Sequence, residues 1–71
     1  MAGTRKNDAE VACEILREQT DPMHYRNLLS EILVRQGREV TDENMAAVYT
    51  RLNMDHELIC VGNGFWDVRN R

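Results

Sequence analysis

With 71 residues, 42% of them hydrophobic, and a net charge of -3, the chain has room for one small domain with a single core. It contains no apolar run near the roughly 18 residues a membrane span needs, and its N-terminus lacks the apolar segment of a signal peptide. Mild acidity gives no general attraction to phosphate backbones, so any nucleic-acid contact would have to be local.

Residues 1–7 read as a flexible polar leader carrying Arg5 and Lys6. Asn7-Asp8-Ala9-Glu10 has capping-box spacing and predicts a first helix from near Asp8. Its buried stripe is Val11, Ala12, Ile15 and Leu16, with Glu10, Glu14, Arg17 and Glu18 toward water. Asp21-Pro22 ends it, because the residue before proline is biased away from helical backbone. Met23 and His24 then form a short edge strand beside a later hairpin.

Tyr25, Leu28, Leu29, Ile32 and Leu33 repeat at helical spacing, which predicts a second helix from Tyr25 to about Gln36. Gly37 suits the residue after its C-cap, and Arg35 and Arg38 suit the negative end of its dipole. Arg38-Glu39-Val40 makes the turn. Thr41 caps a third helix, with Asp42 and Glu43 in its first turn and Val40 and Met45 at staple spacing. Met45, Val48, Tyr49 and Leu52 form its buried stripe.

Asn63-Gly64 is a strong hairpin signal, since a type I′ turn requires two residues at positive φ. With a two-residue loop and no irregularity, Val61 faces Trp66 and Ile59 faces Val68. Ile59, Val61, Trp66 and Val68 then share the buried face. Leu58, Cys60, Gly62, Phe65, Asp67 and Arg69 share a mixed one. The order of elements predicts an α+β fold, a winged helix-turn-helix over residues 8–69. Three helices pack on a small antiparallel sheet of the C-terminal hairpin and the short strand near Met23; residues 70–71 are the C-terminal end.

Chemistry is sparse. Cys13, His24, His56 and Cys60 lack the paired spacing of structural zinc ligands, and the cysteines read as reduced thiols of a cytoplasmic protein. Nothing marks Ser30 as a nucleophile. No catalytic, cofactor or metal site is expected. The third helix occupies the place from which helix-turn-helix proteins read the major groove. It presents Glu43, Ala47 and Thr50, flanked by Asn44 and a single arginine, Arg51. The remaining basic candidates are Arg69 and Arg71 beside the wing and Arg5 and Lys6 in the leader. A protein-docking surface is the alternative use of the wing, with Leu58, Phe65 and Arg69 at its centre and Arg51 and Asn44 at its rim. If Leu58 and Cys60 instead pack under the Met23-His24 strand, only Phe65 is exposed.

Three stretches carry a resemblance: Pro22-Met23-His24-Tyr25-Arg26-Asn27-Leu28-Leu29, Val48-Tyr49-Thr50-Arg51-Leu52-Asn53-Met54-Asp55 and Gly64-Phe65-Trp66-Asp67-Val68-Arg69. Together they resemble the HARE-HTH winged-helix family over about residues 8–69, most closely its bacterial RNA polymerase delta-subunit branch. The resemblance implies a non-catalytic accessory role, with the domain, a monomer on its own, docking on core RNA polymerase to modulate transcription and recycling. Nucleic-acid contact is then weak or indirect, and no membrane is involved. That branch also carries a long acidic tail that helps release nucleic acid. The present sequence stops at Arg71, as a domain alone or a short form would, so the resemblance bears on docking and not on displacement. The wider family also includes chromatin and DNA-modification proteins, which keeps a DNA-contacting module as the alternative.

Overall fold

The structure, a computed structural model, describes residues 7–69. The basic leader residues Arg5 and Lys6, and Arg71, lie outside them. The elements run α1 (Asp8–Glu18), β1 (Met23–His24), α2 (Tyr25–Arg35), α3 (Asp42–Asn53), β2 (Leu58–Gly62) and β3 (Phe65–Val68). Three helices and a three-stranded antiparallel sheet of order β1-β3-β2 give the winged helix-turn-helix arrangement that the sequence predicts.

Local chemistry explains where each helix begins and stops. Asn7 closes a full capping box: its side chain accepts from Glu10 N–H at 2.8 Å, and Glu10 accepts from Asn7 N–H at 3.0 Å. The His24 ring is the N-cap of α2, its Nδ1 accepting from the Arg26 amide at 3.3 Å. Thr41 caps α3 by accepting from Asn44 N–H at 3.1 Å. Gly37, at φ +69°, ends α2 in a Schellman turn, with Arg38 N–H donating to Leu33 O and Gly37 N–H to Val34 O.

The apolar stripes of all three helices meet the sheet in one core. Val11, Ala12, Ile15 and Leu16 of α1 pack with Leu28, Leu29, Ile32 and Leu33 of α2, Val48 and Leu52 of α3, and Leu58, Trp66 and Val68 of the hairpin. Each such side chain contributes on the order of 1.5–3 kcal/mol by leaving water. Tyr49 departs from its stripe. It is 38% exposed, because its ring leans outward between Tyr25 and Trp66.

The hairpin keeps the expected loop and changes the expected register. Asn63 and Gly64 both have positive φ, and Gly62 pairs with Phe65. Beyond that pair Cys60 stands opposite Trp66, Ile59 opposite Asp67 and Leu58 opposite Val68. Two steps along β2 thus match one step along β3. The extra residue makes a bulge between Cys60 and Gly62, and Gly62 at φ +112° supplies backbone few side chains tolerate. A one-residue slip exchanges the faces. Leu58 is therefore buried, Val61 is 48% exposed and Ile59 is only partly covered. Trp66 is buried as expected, although its Nε1–H finds no acceptor among the described residues.

Candidate functional site

β1 brings His24 beside the wing tip, and this placement builds the most distinctive surface of the domain. The Tyr25 amide donates to Gly64 O at 2.8 Å, fastening the hairpin turn to the start of α2. The His24 ring lies 4.6 Å from Tyr25 and meets Phe65 edge-on at 5.3 Å. Tyr25 continues to Tyr49 of α3 at 5.8 Å, and Tyr49 meets Trp66 edge-on at 5.9 Å. Phe65, His24, Tyr25, Tyr49 and Trp66 thus form a continuous aromatic run from the wing across two helices. Phe65 is 40% exposed, His24 and Tyr25 are half-buried, and Trp66 anchors the inner end. Such rings offer large contact area at low entropic cost.

Of the residues expected to form a docking patch, Phe65 lies in this run. Leu58 does not, because the bulge turns it into the core beside Val68. Nor does it pack under β1, whose partner is β3. Arg69 is exposed, but its Nε donates to His56 O at 2.7 Å and its amide to Glu57 O, so it closes the base of the wing. Asn44 donates its Nδ2 to Glu39 O at 2.8 Å within the α2–α3 turn. Arg51 sits against Asp8 at 3.5 Å. The sequence reading missed His24, Tyr25 and Tyr49 as surface residues, since helical spacing placed both tyrosines in buried stripes.

Charge is arranged with similar economy. Among the described residues there is no lysine, and every arginine has an internal partner. Arg17 faces Glu57 at 3.9 Å, and Arg35 holds Glu18 through two bonds of 2.7 and 2.9 Å. Arg38 and Arg51 share Asp8, Arg69 takes a carbonyl, and Arg26 engages the Tyr25 phenol. The Glu18 carboxyl is held below the usual glutamate range by its Arg35 bonds, and the same bonds raise Arg35 further.

A second concavity opens between α1 and the connector to β2, an open groove of about 730 Å³ lined by Ala9, Cys13, Glu14, Arg17, Asp55 and Glu57 among others. Burial pushes the Cys13 thiol up, against an opposing pull from Arg17. No group of three His, Cys, Asp or Glu side chains among the described residues could hold a metal ion. No helix among them is long and apolar enough to cross a membrane.

Three helices with a bulged wing, and a cationic complement tied up internally, define a winged-helix domain with a mixed, ring-bearing surface. The chain belongs to the HARE-HTH family: the model of this helix-turn-helix domain, described by its occurrence in ASXL and restriction endonuclease proteins, matches residues 9–70. A protein of Ligilactobacillus salivarius named probable DNA-directed RNA polymerase subunit delta is 36% identical over 63 residues, 86% of this chain and 32% of its own length. Proteins of the same name from Bacillus pumilus and Oceanobacillus iheyensis are 33% and 30% identical, with 86% and 84% of this chain matched and 35% and 36% of their own lengths. The chain thus spans about a third of the length of the curated relatives it matches. No solved structure matches it significantly.

Proposed function

We propose that this domain is a non-catalytic, delta-like accessory module that docks on core RNA polymerase in the bacterial cytoplasm and modulates transcription. The observation that carries the reading is that several relatives with one name, RNA polymerase subunit delta, match through this same winged-helix stretch. The surface supports it physically. Half-exposed aromatic rings surrounded by polar side chains suit a protein partner, where such rings act as anchors. Phe65 and Tyr49 are the anchors, His24 and Tyr25 extend the apolar centre, and Arg69 borders it. Arg51 and Asn44 are rim residues held in place by their own internal bonds.

The competing reading is a DNA-contacting winged helix. It calls for cations free to replace counterions along a phosphate backbone. The internally paired arginines and the net charge of -3 weigh against that use. Capture of core RNA polymerase by immobilised domain tests the proposal. The wild type should retain the enzyme, and a folded Phe65→Ala, Arg69→Glu variant should retain much less. Undiminished capture by the variant would remove the wing from the interface, and no capture by the wild type would overturn the docking role.

A further inference from the structure

Asp8 is the buried charged residue among those described, 6% exposed at the first position of α1. Its Oδ1 accepts from Gln36 Nε2 at 2.6 Å and lies 3.5 Å from Arg38 Nη1, while Oδ2 lies 3.5 Å from Arg51 Nε. One carboxylate therefore gathers the end of α2, the turn after it and the only arginine of α3. The burial is one-sided. Side-chain exposure is 8% for Asp8 but 38% for Arg38 and 69% for Arg51. Both arginines could be satisfied by water, whereas the carboxylate depends on its protein partners and its helix terminus.

This asymmetry matters for what α3 can bind. In a winged helix the third helix is the element that enters the major groove, and phosphate contacts made by nearby arginines dominate affinity. A phosphate drawing Arg38 or Arg51 away would leave Asp8 buried and less compensated, which is costly. It would also have to approach a fixed negative charge. We propose that Asp8 sets the class of partner: by holding Arg38 and Arg51 it withholds both cations from phosphate and keeps this winged helix off nucleic acid. The inference rests on the docking reading above and gives it a residue-level cause.

The test is binding of a labelled, mixed-sequence DNA duplex at low and at physiological salt. Asp8→Asn removes the charge and keeps an acceptor for Gln36. Asp21→Asn removes the same charge from the exposed segment before β1. Wild type and Asp21→Asn should bind weakly and alike. Asp8→Asn should bind about tenfold more tightly at low salt, with a salt slope steeper by about one to two phosphate contacts. Adding Arg38→Gln and Arg51→Gln should return it to the wild-type level. Should Asp8→Asn lose the folded emission of Trp66, Asp8→Ser, with a side chain well tolerated at helix starts, takes its place. No gain in the folded Asp8 variant, an equal gain in Asp21→Asn, or a gain that survives loss of both arginines would each overturn the proposal. Tight duplex binding by the wild type would overturn the docking reading itself, and this inference with it.

Discussion

Tyr25 and Gly64 are joined by a 2.8 Å hydrogen bond from the tyrosine amide to the glycine carbonyl, so the wing tip is fixed to the first residue of α2. The approach leaves little room for a side chain. A Cβ on Gly64 would lie 3.1 Å from Tyr25 Cδ1 and 3.2 Å from His24 Nε2, at a φ of +80°. Gly64→Ala should cost about 1–3 kcal/mol through strain and crowding together. Gly62→Ala carries strain alone, because a Cβ there meets nothing within 4 Å, and should cost less. Urea unfolding midpoints of the two variants check the order.

The bulge makes a sharper prediction about β2. Leu58→Ala should cost about 2–5 kcal/mol, and Trp66→Ala about 3–5, since both empty the core. Val61→Ala, at an exposed position, should stay within about 0.5 kcal/mol of wild type. A costly Val61→Ala with a neutral Leu58→Ala would restore the unbulged register. Equilibrium denaturation followed by Trp66 emission, or by far-UV circular dichroism for the Trp66 variant, decides it.

These residues also show what could be read in advance. The capping box at Asn7, the Schellman glycine at Gly37 and the Asn63-Gly64 loop are local signals, and each appears where the sequence places it. The bulge had a local sign too: Gly62 interrupts an otherwise apolar strand, and isolated strand glycines often mark bulges. Apolar alternation through Val61 outweighed it in the reading. Asp8 offered no such sign. Its burial depends on Gln36, Arg38 and Arg51, partners beyond its own helix that helical periodicity does not reveal. Tyr49 kept its helical spacing, but the neighbouring tyrosine and tryptophan rings give it an outward seat.

The two thiols should react at different rates. Cys60 is exposed on β2, whereas Cys13 is half-buried and its thiol is pushed up by burial. Less thiolate is then present at Cys13 at any given pH. Alkylation near neutral pH, read by mass spectrometry, should modify Cys60 first, and raising the pH should narrow the gap. Faster labelling of Cys13 would contradict its placement against the α1 groove.

Acid should weaken one link between α1 and α2. The Glu18 carboxyl is held low by Arg35, so its contribution is present above the ordinary glutamate range and is lost as pH falls through the lowered folded value. The wild type should therefore exceed Glu18→Gln in Tm at neutral pH, and the two should converge in strong acid. The difference should be small, because both partners are open to solvent and salt. A gap that widens on acidification would contradict the pairing.

The central claim is that this winged helix binds a protein and not a nucleic acid. Its most direct test is a titration of one fluorescently labelled, folded domain against purified core RNA polymerase and against duplex DNA, at the same physiological salt. The account predicts saturable binding to the polymerase, weakened by Phe65→Ala with Tyr49→Ala, and no saturation with the duplex. Saturable duplex binding with a steep salt dependence, together with no binding to the polymerase, would contradict it.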